Sequence, residues 1–104
     1  MSPRERELRS ELKQLLLSVG LVRGNLSVRR RTCGKPSCHC MQEGGAKHPA
    51  LYLVASNGGK FRQLFIPSEL AAQTRQWVDA YQRLRDLLEE LSELHWQKLK
   101  QRKT

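Results

Sequence analysis

A chain of 104 residues, 38 % of them apolar and with a net charge of +9, supports one domain built on a modest core. No segment approaches the roughly 20 consecutive apolar residues of a membrane span, and Met1-Ser2-Pro3-Arg4-Glu5 opens in charge rather than in a secretory apolar run, so a soluble cytoplasmic protein is expected. The charge is uneven. Residues 1 to 20 hold four bases against three acids and residues 67 to 104 hold seven against six, whereas residues 21 to 66 hold Arg23, Arg29, Arg30, Arg31, Lys35, Lys47, Lys60 and Arg62 against Glu43 alone, a balance of +7.

The first element is a helix over about residues 3 to 19. Ser2-Pro3-Arg4-Glu5 has the order of a capping box with proline at the first helical position. Leu8, Leu12, Leu15, Leu16 and Val19 recur at three and four as one apolar stripe, and Gly20 is a C-terminal stop. From Leu21 the period changes to two. Leu26, Val28, Arg30 and Thr32 alternate with Ser27, Arg29 and Arg31, the pattern of a strand with one face toward a core.

Cys33 to His48, CGKPSCHCMQEGGAKH, holds all three cysteines as C-x4-C-x-C with a histidine eight residues on. The reading is a Cys3His site for Zn2+ formed by Cys33, Cys38, Cys40 and His48, four ligands of the type that structural zinc takes at tetrahedral angles. The turn Gly34-Lys35-Pro36-Ser37 suits the bend that brings two sulfurs to one ion. His39 is the alternative fourth ligand, disfavoured because it sits between two residues that already turn toward the metal. An odd number of cysteines leaves one thiol over after any disulfide. A catalytic thiol would take His39 or His48 as its base, but three crowded thiols suit ligands better than one nucleophile and two bystanders.

Leu51 to Ala55 reads as a strand, Asn57-Gly58-Gly59 as a hairpin turn and Lys60 to Ile66 as the returning strand, ended by Pro67. The sheet carries basic residues amid few aromatics. Ser68 reads as an N-cap, and the pattern is then helical to about Gln101. Leu70, Thr74, Trp77, Tyr81, Leu84, Leu88, Leu91 and His95 form its stripe, widened by Ala80, Leu87 and Leu94. At 1.5 Å per residue this helix is about 50 Å long against about 25 Å for the first. A coiled-coil-like homodimer through 84–99 is therefore expected, with folding back on the sheet and the first helix within a monomer as the alternative. Lys98, Lys100, Arg102 and Lys103 suit a helix C-terminus.

With Arg30-Arg31-Thr32-Cys33-Gly34-Lys35-Pro36-Ser37-Cys38-His39-Cys40, His48, the Gly58-Gly59-Lys60 hairpin and Pro67-Ser68-Glu69-Leu70, the chain resembles a family of short prokaryotic proteins classed as a domain of unknown function. Their shared core is a basic strand, a C-G-K-P-x-C-x-C knuckle, a histidine, a strand pair and a Leu-rich helix, and the resemblance covers roughly residues 22 to 95. Some members are encoded beside transposases, which implies a mobile-element or DNA-associated setting. After the histidine the family pattern has Gly-Pro and several aromatics, where this chain reads His48-Pro49-Ala50-Leu51-Tyr52, with Tyr52 alone.

The expected architecture is α+β, a single domain of an N-terminal helix, a small three-stranded antiparallel sheet with a zinc knuckle, and a long C-terminal helix. The expected function is that of a zinc-stabilised nucleic-acid-binding accessory protein without catalysis of its own, DNA ahead of RNA, through Arg29, Arg30, Arg31, Lys35, Lys47, Lys60 and Arg62. The alternative is an adaptor that binds a larger protein partner through the Leu-rich helix.

Overall fold

Helix α1 spans Pro3–Ser18, followed by strands β1 (Asn25–Arg31), β2 (His48–Asn57) and β3 (Lys60–Ile66), a 3-10 turn at Ser68–Leu70 and helix α2 (Ala71–Gln101). The computed structural model describes residues 1–31 and 48–102, with Arg31 and His48 described in backbone only. The three strands form one antiparallel sheet in the order β1-β2-β3, so the expected α+β arrangement of helix, sheet and long helix is the one observed. The expected zinc knuckle falls on Cys33, Cys38 and Cys40, which lie outside the described residues. None of the helices among the described residues is long and apolar enough to cross a membrane. The chain forms two compact units, Met1–Arg23 with Gln76–Thr104, and Gly24–Arg75.

The first unit is a pair of helices. Ser2 Oγ accepts a hydrogen bond from the Glu5 backbone N–H at 3.1 Å, with Pro3 at the helix start, which satisfies one of the donors that a helix N-terminus leaves open. The reciprocal half of the capping box is not made. The Glu5 carboxylate instead accepts from Arg9 Nε at 2.9 Å and from Lys98 Nζ at 3.0 Å, with His95 Nε2 at 3.5 Å, because charged donors outcompete a neutral backbone N–H.

Leu8, Leu12 and Leu87 form the core of this unit, with Leu15, Leu84, Leu91 and Leu94 packed against them. Leu84 and Leu91 of the expected α2 stripe pack here, together with Leu87 and Leu94, which were expected only to widen it. Leu87 is 1 % exposed and Leu88 47 %. Positions 84, 87, 91 and 94 follow the alternating three and four of a heptad seam, and only one such seam can face α1. Most of the surface expected to join two copies is therefore filled within the chain, while Leu88, Trp96 and Leu99 stay exposed.

Across the same contact Arg83 donates to Glu11 from Nε at 2.6 Å and from Nη2 at 3.0 Å. Arg4 Nη2 donates to Glu90 Oε1 at 2.8 Å. Pairs between residues early in α1 and late in α2 identify an antiparallel pair. Gly20 has a role other than a helix stop. The helix ends at Ser18 with Val19 extended, Gly20 has no positive φ, and a Cβ there would lie 2.4 Å from the Trp77 ring. Glycine is required by the indole, and the Val22 N–H donates to the Trp77 carbonyl at 3.1 Å beside it.

In the second unit the hairpin follows from its turn. Asn57 pairs with Lys60, and Gly58 and Gly59 adopt φ of 61° and 82°, the positive values that a two-residue hairpin loop of the mirror-image type demands. At the exit, Ser68 makes no side-chain cap. The turn begins at Pro67, whose carbonyl accepts from the Leu70 N–H at 3.0 Å. Short-range backbone bonds thus satisfy the start of α2 in place of the expected serine cap.

Candidate nucleic-acid interface

Cross-strand partners share a face of a sheet and successive residues alternate between faces, so the register assigns each base its side. Ser27, Tyr52 and Phe65 are in line across the three strands, as are Leu26, Leu53 and Leu64. One face therefore carries Arg29, Tyr52, Val54, Phe61, Gln63 and Phe65. The other carries Leu26, Val28, Arg30, Leu51, Leu53, Lys60, Arg62 and Leu64.

The expected basic residues are accordingly divided. Arg29 stands on the first face and Arg30, Lys60 and Arg62 on the second, all four exposed. A single patch uniting Arg29 with Arg62 is not formed, because β1 and β3 pair with β2 in registers of opposite parity for those two positions. Arg31 is paired in backbone with His48 at the end of the ladder. Lys35 and Lys47, and the expected zinc ligands Cys33, Cys38 and Cys40, lie outside the described residues, as does the side chain of His48. No group of three or more metal-binding side chains occurs among the described residues.

Arg29 is held in place. Its guanidinium carbon lies 5.5 Å from the centroid of the Tyr52 ring, a cation–π distance, and its Nη1 donates to Gln63 Oε1 at 2.5 Å. One side chain thus crosses from the first strand over the second to the third. Tyr52 and Phe65 meet edge to face, centroids 5.8 Å apart at 67°. The sequence reading had not joined these rings to Phe61. The two-residue turn would have allowed it, since pairing Asn57 with Lys60 makes every partner pair sum to the same number and so aligns Tyr52 with Phe65.

The electrostatics of the two units differ. Strands β1, β2 and β3 contain no acidic residue, and Glu69 is the only acid in the described part of their unit. In the helical unit Glu5, Glu11 and Glu90 are engaged. Hydrogen bonds from Lys98 and then Arg9 pull the Glu5 carboxyl down to about 2. Arg83 lowers Glu11 and Arg4 lowers Glu90 by the same means.

These features define a small α+β protein whose sheet is basic and whose helical pair is charge-compensated. The chain belongs to the family described as Domain of unknown function (DUF6788), whose model matches residues 2–76. No curated protein and no solved structure matches it significantly.

Proposed function

We propose that the protein is a small zinc-stabilised nucleic-acid-binding accessory protein that performs no catalysis of its own and acts in the cytoplasm in association with a mobile element, with DNA as the preferred partner. The observation that carries this reading is the acid-free sheet. Arg29, Arg30, Lys60 and Arg62 are exposed on strands without a single carboxylate, and clustered Lys and Arg supply the phosphate-neutralising term that dominates nucleic-acid affinity. Because these bases stand on both faces, the contact is with a polyanion that the sheet enters rather than with a flat acidic surface.

Cys33, Cys38, Cys40 and His48 would hold the zinc of the proposed C-G-K-P-x-C-x-C knuckle. Support comes from the ladder: Arg31 and His48 are register partners, and Cys33 follows Arg31 by two residues, within about 7 Å of it by chain length alone. A ligand pair distant in sequence thus starts from neighbouring points. Lys35 and Lys47 belong to the segment this metal would organise, and with Arg31 they would add to the basic charge.

Metal analysis and binding at low salt test the two halves. About one zinc per chain is expected, lost in Cys33→Ser, Cys38→Ser, Cys40→Ser and His48→Ala but kept in His39→Ala. Stoichiometric zinc in His48→Ala would overturn the ligand choice. Wild type that binds neither DNA nor RNA at low salt would remove the nucleic-acid reading.

A second reading has its own observation. Leu88, Trp96 and Leu99 remain exposed along α2, an apolar surface on which an adaptor would seat a larger protein partner or a second copy. Such a contact should be insensitive to salt, whereas phosphate contacts weaken steeply with it.

A further inference from the structure

The sheet keeps its aromatic side chains on one face. Every aromatic residue on its strands, Tyr52, Phe61 and Phe65, falls on the face of Arg29 and Gln63, and the opposite face is aliphatic, with Leu26, Val28, Leu51, Leu53 and Leu64. Burial does not explain this sorting. Phe61 is 64 % exposed and Phe65 41 %, and two exposed phenyl rings four positions apart on an edge strand carry a hydration cost that polar residues would avoid.

We infer that this face is a stacking platform for single-stranded nucleic acid, with bases laid on Phe61 and Phe65 and the backbone phosphates drawn to Arg29. The inference rests on the nucleic-acid reading above and deepens it by naming the form of the strand. Bases in a duplex are stacked on each other and offer only their edges, whereas an unpaired base offers its ring to an aromatic side chain. Arg29 sits where such a strand needs a cation. Its position is fixed by the Tyr52 ring and by Gln63, and Tyr52 in turn braces Phe65 edge to face. The strands supply charge complementarity, since no carboxylate on them would repel a phosphate. Four residues of extended strand separate the two rings by about 13 Å, so they would receive bases that are not adjacent.

The test compares a 20-nucleotide oligo(dT), the corresponding oligo(U) and a 20-base-pair duplex at one ionic strength, by anisotropy of an end label. Proteins are wild type, Phe61→Leu, Phe61→Leu with Phe65→Leu, and Phe61→Tyr. Circular dichroism controls for folding, and Phe61, being exposed, is the position at which substitution leaves the sheet intact. The single strands should bind more tightly than the duplex. Each leucine should cost single-strand affinity about 5- to 100-fold, with the salt slope and duplex binding unchanged, and Phe61→Tyr should restore wild-type binding. Leucine variants that bind single strands as well as wild type, or a duplex preferred over single strands, would overturn the platform while leaving nucleic-acid binding standing. Wild type that binds none of the three would overturn both.

Discussion

The two units solve the problem of charge in opposite ways. In the helical unit, acids and bases face each other across α1 and α2, with Glu5 against Lys98, Glu11 against Arg83 and Glu90 against Arg4, and Arg9 on α1 adds a second donor to Glu5. On the sheet, the strands carry Arg29, Arg30, Lys60 and Arg62 and contain no acidic residue. Compensated charge belongs to a surface that holds its own elements together. An excess of one sign on the strands raises self-repulsion, which a polyanionic partner would relieve. The same contrast holds for apolar groups, for the leucines of the helical pair are gathered into a seam while Phe61 and Leu64 stand open on β3.

The largest expected effect sharpens the seam. Leu87→Ala removes a side chain packed between Leu8 and Leu12 and should cost about 2–5 kcal/mol, read as a loss of thermal stability by circular dichroism. Leu88→Ala, one position away and exposed, should stay within about 0.5 kcal/mol. Equal losses at both positions would mean that the helices pack in a different phase.

Next in size is Gly20→Ala. The added methyl meets the Trp77 ring and must displace it, at about 1–3 kcal/mol, and the Trp77 fluorescence should shift with the displacement. An unchanged melting temperature would show that the indole is not held against Gly20.

A smaller effect comes from acid. Glu5 is lowered from its ordinary 4.5 to about 2, so between those values the unfolded chain binds a proton that the folded chain does not. Stability contributed by Glu5 is therefore complete above about pH 4.5 and is lost as the pH falls toward 2. Glu5→Gln should flatten the fall in helical-unit stability over that window. Glu11 and Glu90, both lowered, steepen the same fall. A variant with the same acid profile as wild type would show that the carboxylate is not the anchor it looks.

How much of this was legible varied by element for physical reasons. The start of α1 and the hairpin could be read because single residues dictate them, Ser2 and Pro3 in one case and Gly58-Gly59 in the other. The phase of α2 could not, because leucine stands at 84, 87, 88, 91 and 94 and periodicity alone does not choose among overlapping stripes. That Glu5 would serve the long helix rather than its own cap was hidden, since Lys98 lies 93 positions away. Within the site, the strand positions of the bases were legible and their common face was not. The β2–β3 register follows from the length of the turn, but the β1–β2 register is separated by residues 32 to 47 and no count across them fixes it. The sorting of Arg29 from Arg62, and of Leu26 and Val28 from the aromatic face, needed that second register.

The central claim is that the sheet, and not net charge at large, binds the nucleic acid. It is tested most directly by comparing two triple variants of equal charge, Arg29→Glu with Arg30→Glu and Arg62→Glu on the sheet, and Arg6→Glu with Lys13→Glu and Lys100→Glu on the helices. Binding is measured as a function of salt. The sheet variant should lose binding at low salt, or keep a remnant whose salt slope is reduced by about 0.9 per lost contact on duplex DNA and about 0.7 on a single strand, while the helical variant should retain the wild-type slope. Equal losses in the two variants would contradict the claim.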